Sequence, residues 1–462
     1  MTASAALGKI WRSVDAPEDL LADVVLTGAD PVLPSSFRIG LAAQMSIAAS
    51  ALAAADLWRL RSGRRQLVSV DMRHAAIEFR SERYLRVDGK AAPEPWDKIA
   101  GFYHCGKGGF VRLHTNFPHH RDGILKLLAC AYDRESVAEA LRRWNAFEFE
   151  EKAAEAAMVV AALRSFEAWD DHPQAQALSP LPLVAIEKLG EARPEPLAPA
   201  ERPLSGVRVL DLTRVIAGPV CGRTLAAHGA QVLLVAAPHL PSIEQLVIDT
   251  GRGKRSTHLD LRDEAQKETL RGLLSKADIF VQGYRPGTIA ARGFGPREAA
   301  RLRPGIVYVS LSAYGQKGPW SARRGFDSLV QTATGLNDAE GRAAGSELPT
   351  PLPAQALDHA TGYLMAFGSM AALARRAREG GSWHVQLSLA RTAQWLRSLG
   401  RVENGFACAD PREDDVTDCL EETPSRFGRL RAVRHAAILA ETPARWERPS
   451  APLGSDAPAW ED

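Results

Sequence analysis

The sequence predicts an α/β protein: a doubly wound parallel sheet in a large domain, with a smaller α+β domain ahead of it. Three observations carry that prediction. Short apolar runs recur at a spacing of roughly 25 to 40 residues through the second half of the chain, with helical stretches between them, as parallel sheets require. The first half lacks this alternation and shows a long Ala-rich helical stretch and a short mixed segment. Between the halves, "EKLGEARPEPLAPAERPLSG" (187–206) is rich in Pro, Glu and Ala and reads as a linker.

The second half opens with "VRVLDLT" (207–213), a short buried strand, and "GPVCGRTLAAHG" (218–229), a turn into a helix ending at Gly229. "AQVLLVAA" (230–237) is the next strand, "DEAQKETLRGLLSKA" (263–277) an amphipathic helix and "DIFVQGY" (278–284) a strand. "PREAARLRP" (296–304) reads as a helix and "GIVYVSLSAYG" (305–315) as a strand. Sheets of this kind bind ligands beyond the carboxyl ends of their strands, where "DLTRVIAGP", "QGYRPG" and "SAYGQKGPW" fall.

In the first half, "SSFRIGLAAQMSIAASALAAADLWRLRSG" (35–63) is a long Ala-rich helix, followed by a strand "QLVSVDM" and another helix. Residues 109–144 look like a small mixed domain. A faint repeat crosses the linker. Residues 41–72 and 358–389 each form an Ala-rich helix closing on Arg-x-Gly, then an alternating strand. Setting Gly63 on Gly380 gives an offset of 317 and pairs Leu41 with Asp358, so the first copy has the helix without the acid.

Composition bounds the function. With 462 residues, 45% hydrophobic and 24% charged, the chain can bury at least one large core. A net charge of +2 gives no nucleic-acid signature. Five scattered cysteines, with no CxxC spacing, suggest neither a disulfide framework nor a zinc site and fit a reducing cytoplasm. The N-terminus meets charges too early for a secretory signal, and no apolar run approaches the ~20 residues of a membrane span. The expectation is a cytoplasmic protein with no membrane and no nucleic-acid partner.

Asp358 in "ALDHATGYL" precedes a helical run, where Asp ordinarily serves as a cap. Its absence from the first copy tilts it toward chemistry. The loop 211–222 carries Gly218 and Gly222 into a helix N-terminus, a setting for an anion or developing oxyanion, though βα turns need Gly in any case. Arg252, Lys254 and Arg255, grouped before a strand, are a solvated charge run or a phosphate site. Tyr284 and Arg285 can stack on an aromatic group or pair a phosphate. His114, His119 and His120 have no converging ligands and read as loop histidines. No G-x-S-x-G elbow is present.

Five segments, "PLSGVRVLDLTRVIAGPVCGRTLAAHGAQVLLV", "GKRSTHLDLR", "VQGYRPGTIAARGF", "RPGIVYVSLSAYGQKGPWSARRGFDSLVQTATGL" and "ALDHATGYLMAFGSMAALARRAREG", resemble in this order the class III CoA-transferase family, which includes the α-methylacyl-CoA racemases. The resemblance implies a Rossmann-like CoA-binding domain. It makes Asp358 the nucleophile, which exchanges CoA through an acyl anhydride and an aspartyl-CoA thioester. It puts Val215, Ile216, Ala217, Gly218 and Phe326 around the acyl and oxyanion pocket, and Arg252, Lys254, Arg255, Tyr284 and Arg285 on CoA. Coenzyme A is then a co-substrate, with no metal, and the partners are an acyl-CoA and a carboxylic acid. A helix N-terminus favours the ionised nucleophile.

Family members form interlocked homodimers, which implies a homodimer here, unless the tethered N-terminal half satisfies those contacts within one chain. The order implied is a degenerate helix–strand copy (1–80), a small α+β domain (81–186), a linker (187–203), the catalytic domain (204–400) and a C-terminal return (401–462). Two departures stand out. Ala236 replaces a family Glu, and Phe326 stands where racemases carry a base, which disfavours two-base proton exchange. Ile216, Phe326 and "LPTPLPAQAL" imply a less polar pocket than oxalate needs. The rival readings are an acyl-CoA racemase or isomerase, and a non-catalytic CoA-binding or scaffold protein.

Overall fold

The structure is a computed structural model and describes residues 2–94 and 96–461. Its largest sheet has seven strands in the order Lys254–His258, Gln231–Ala236, Arg208–Leu212, Ile279–Gln282, Val307–Ser312, Ser382–Ser388, Ala185–Gly190. The first six run parallel, and the last is an antiparallel edge. After contributing the edge strand Ala185–Gly190, the chain starts the parallel part at Arg208–Leu212, builds outward to one side, then crosses to the other. That reversal opens a crevice at the carboxyl ends of Arg208–Leu212 and Ile279–Gln282. Strands such as Ile279–Gln282 are buried along their whole length, as their unbroken apolar sequence demands.

Two boundaries are corrected. Residues 187–190, assigned to a linker, are part of the edge strand Ala185–Gly190, paired with Ser382–Ser388. A half-exposed edge strand tolerates the Glu and Lys that made the segment look unstructured. The cluster expected ahead of a strand runs into one, because Lys254–His258 begins at Lys254 and only Arg252 precedes it.

Residues from Ile99 to Ala162 have their own apolar core, under an antiparallel sheet of Gly101–His104, Phe110–Leu113 and Val160–Ala162. Strands Arg86–Val87 and Lys90–Ala91 join Gly428–Val433 and Leu420–Ser425 from the far end of the chain. A third small sheet pairs Val24–Thr27 with Val68–Asp71 in parallel, and Val68–Asp71 with Ala437–Leu439 in antiparallel.

At the centre, the helix Ile39–Ser62 packs against the helix Ala356–Glu379. Arg378 reaches across to Asp56 at 2.8 Å. The apolar run in Ile39–Ser62 is, by length and composition, enough to cross a membrane, contrary to the sequence expectation, but it is wholly buried inside the molecule. Each helix ends at a residue with positive φ, Gly63 or Gly380. At the predicted offset each is followed by a strand and an N-cap, Asp71 or Ser388, that opens the next helix. The repeat therefore extends from the long helix through the strand to the start of the following helix. It also includes the pairing, since each repeated strand lies between a parallel and an antiparallel neighbour.

Candidate active site

The helix Ala356–Glu379 begins after Gln355, which makes no side-chain cap bond. Asp358 is in the first turn and does not cap it. Its backbone N–H instead donates to Asp327 Oδ2 at 2.8 Å. Asp327 opens the helix Asp327–Ala333, and its other oxygen accepts from the Gln331 amide. The capping role thus falls to a neighbouring loop. The carboxylate of Asp358, only 7% exposed, is left without a hydrogen-bond or ion-pair partner among the described residues.

Asp358 lies where two cavities meet, one of about 510 Å³ and one of about 410 Å³. Val215, Ile216 and Phe326 line both. Val215 has φ +73°, costly for a β-branched residue, and turns the chain sharply between the strand Arg208–Leu212 and the helix Ala217–Ala227. That helix has no side-chain cap, so the N–H groups of Ala217 and Gly218 at its start are not taken by one. Gly362 lets it approach the Asp358 helix closely, since a Cβ there would meet Ala217 O and Val220.

Burial raises the Asp358 carboxyl well above the usual range, and the like charges of Asp327 and Glu82 add to the shift. Asp327 is also raised, by burial against the pull of the Asp358 N–H, Gln331 and Arg112. Against the expectation that the helix N-terminus favours the ionised form of Asp358, desolvation opposes the dipole and outweighs it, so the shift is upward.

The larger cavity runs beneath N-terminal residues that include Arg80, Glu82, Trp96, Arg112 and His114. Glu82 accepts from or donates to His359 Nε2 at 3.1 Å, so the residue after Asp358 is held by the other half of the chain. His114 packs edge-on to Phe326 with ring centroids 3.8 Å apart, and burial lowers its pKa to about 3, which keeps it neutral. The expected low polarity is half right. Ile216, Phe326 and Leu352 line this cavity, but so do Arg80 and Arg112.

The smaller cavity occupies the crevice at the strand ends. Tyr284 and Arg285 line it, together with Arg214, Arg292 and Arg324. Arg252, Lys254 and Arg255 line neither cavity. Lys254 is buried, with Nζ 2.9 Å from Asp211 and 2.8 Å from Pro219 O. Arg252 is bound by Asp249 and Val433 O, and Arg255 by the C-terminal backbone at Ala457 and Ala459. These cations hold the fold together here. Sequence reading missed Arg112, Arg214 and Arg324. The last two lie in strand-end loops quoted for other reasons, so counting Arg in those loops finds them; nothing local marks Arg112. Among the described residues no group of three or more His, Cys, Asp or Glu could hold a metal ion, and the five cysteines are free.

Residues 204–461 match the family described as CoA-transferase family III. The acetyl-coenzyme A transferase nodX of Hypoxylon pulicicidum is 36% identical over 240 residues, 51% of this chain and 37% of that protein. An acyl-CoA transferase of Gibberella moniliformis is 30% identical over 370 residues, 70% of this chain and 64% of that one. Succinyl-CoA:glutarate CoA-transferase of Mus musculus is 32% identical over 214 residues, 44% of this chain and 48% of that one. The chain thus spans from about a third to just under two thirds of these relatives' length.

Proposed function

The chain belongs to CoA-transferase family III, and from that membership we propose that it moves CoA from an acyl-CoA to a carboxylic acid, with Asp358 as the covalent nucleophile. The observation that carries this reading is a buried, partnerless carboxylate shared by two cavities, each lined by both arginines and apolar side chains.

In this reading a carboxylate oxygen of Asp358 adds to the thioester carbonyl, the C–S bond breaks, and CoA thiolate leaves a mixed anhydride. The thiolate then attacks the Asp358 carbonyl, freeing the first acid as its carboxylate and leaving an aspartyl-CoA thioester. An acceptor carboxylate repeats both steps in reverse, and Asp358 is restored with no net proton change. The N–H groups of Ala217 and Gly218 face the developing oxyanion, where preorganised donors act without reorganisation. Phe326, Val215 and Ile216 wall off water from the anhydride. Arg214, Tyr284, Arg285, Arg292 and Arg324 hold CoA in a Rossmann-like, doubly wound domain, the guanidinium forks pairing with its phosphates.

The two halves of the chain supply to each other the return strands Ala185–Gly190 and Ala437–Leu439, which supports a site assembled within one chain; a cytoplasmic homodimer remains the family-based expectation, tested by sedimentation. The reading itself is tested by incubating the protein with a panel of acyl-CoAs and hydroxylamine, then mapping the adduct by peptide mass spectrometry. A hydroxamate at Asp358, absent in Asp358→Asn, supports transfer. CoA binding without any adduct points to a binding protein, and solvent deuterium at the acyl α-carbon points to a racemase or isomerase.

A further inference from the structure

We propose that the larger cavity takes a short dicarboxylic acid, one carboxyl reacting at Asp358 and the other held by Arg112, an assignment that rests on the transferase reading of Asp358. Arg112 lies on the strand Phe110–Leu113 of the N-terminal half, lines the cavity and is 6% exposed. Only Nη1 makes hydrogen bonds, both long, to Ser328 O and Asn337 Oδ1 at 3.4 Å. The rings of Phe102 and Trp96 flank the guanidinium at 4.8 and 5.7 Å. Nε and Nη2 have no acceptor, and no carboxylate lies within ion-pair distance, among the described residues.

Other buried arginines here are satisfied, Arg61 by three backbone carbonyls and several by carboxylates. Arg164 lies 2.5 Å from Glu150, Arg223 2.8 Å from Asp249 and Arg376 2.9 Å from Asp278. A buried cation is expensive to strip of water unless a counter-ion replaces the water. Asp327 attracts Arg112 through space, but its oxygens are committed to the Asp358 N–H and to Gln331. Burial lowers the Arg112 pKa to about 10, which still leaves it charged at neutral pH. An arriving carboxylate fits the free Nε and Nη2 as a two-pronged acceptor.

The walls between suit methylenes: Ile216, Phe326, Leu352 and Ala354 all line the cavity. Arg80 lines it too, but its Nη1 is already paired with Asp410 at 2.5 Å. Glu82 and Glu94 repel an anion from their side, and Arg83 and Arg86, which also line the cavity, are paired with Asp410 and Glu413, which leaves Arg112 as the lining arginine without a carboxylate partner among the described residues. Arg112 contacts Ser328, the residue after the carboxyl that holds the Asp358 N–H, so the span between the two ends is short.

The test is calorimetric titration of glutarate against pentanoate into the full chain and into Arg112→Gln and Arg112→Lys, alongside hydroxylamine trapping with succinyl-CoA against butyryl-CoA. The unmodified protein is expected to favour the ω-carboxylate member of each pair by about 30-fold or more, Arg112→Gln by less than about 3-fold, and Arg112→Lys to keep part of the preference. Equal handling of the two members by the unmodified protein, or an equal loss for both in Arg112→Gln, overturns the proposal while transfer stands. Should Arg112→Gln fail to fold, the unmodified ratio and Arg112→Lys decide. Selective glutarate binding with no label at Asp358 overturns the transferase reading and the Asp358 end of the proposal, leaving only an anion site at Arg112.

Discussion

The helices Ile39–Ser62 and Ala356–Glu379 have the same length, end on equivalent glycines and lead into equivalent strands, yet one begins with Leu41 where the other has Asp358. Both are capped from outside. Asp30 accepts the N–H groups of Gly40 and Leu41 at 3.0 and 3.1 Å, and Asp327 accepts that of Asp358 at 2.8 Å. Each helix start thus takes its cap from an upstream Asp at a position of its own, outside the repeat, and only one copy has an acid in the first turn. The comparison separates what the fold needs from what it does not: a carboxylate beside the N-terminus is structural, and the second carboxylate at Asp358 has no structural duty.

The largest effect should follow from Asp358→Asn, which is expected to lower transfer at least about 10³-fold while leaving CoA affinity within a few-fold, measured by steady-state transfer and calorimetry. A surviving rate would break the comparison by showing Asp358 to be dispensable. Next comes Leu41→Asp. Leu41 is fully buried and lines neither of the two cavities at Asp358, so the change should restore no second site and should destabilise by about 3–5 kcal/mol in denaturant titrations. A milder effect would mean that the first copy still has room for its acid.

Removing either cap, by Asp30→Ala or Asp327→Ala, is expected to cost about 1–2 kcal/mol in the same titrations. Only at Asp327 should chemistry change as well. Asp327 raises the Asp358 pKa by like charge, so Asp327→Asn should move the acid limb of the pH–rate profile to lower pH. The smallest effect is on stability itself. An acid whose folded-state pKa is raised favours the folded state only while protonated, so it destabilises as pH climbs above its unfolded value of 3.8. Asp358→Asn should therefore gain about 1 kcal/mol near pH 8, a few degrees in Tm, and lose that advantage below about pH 4.

How legible this was depended on range. The parallel strands were readable because burial on both faces leaves unbroken Val, Ile and Leu runs, as in "VRVLDL" and "GIVYVSL". The repeat was readable because helix length and closing glycine are local. The strand exchange was not, since Ala185–Gly190 and Ala437–Leu439 gain their pairing from segments far away in sequence. Asp358 could be singled out by motif, but its cap could not, because Asp327 opens a separate helix, with the helix Leu336–Ala343 between it and Ala356, and no cap residue precedes the helix. Lys254 was misjudged because a cation that completes a buried pair with Asp211 looks, in sequence, like one that waits for a phosphate.

The exchanged return strands also constrain how the chain is made. The sheet around Val68–Asp71 lacks its antiparallel neighbour until Ala437–Leu439 has left the ribosome. The helix Ile39–Ser62 packs early against Ala3–Arg12, Val68–Asp71 and Met72–Glu78, but its largest contact, with Ala356–Glu379, forms only once that helix has been synthesised. During most of translation, then, an apolar segment long enough to be mistaken for a membrane anchor is without its main shelter. Retention of this segment by a chaperone that recognises exposed hydrophobic chain is the expected condition of the nascent protein, and release should track the emergence of the Asp358 helix.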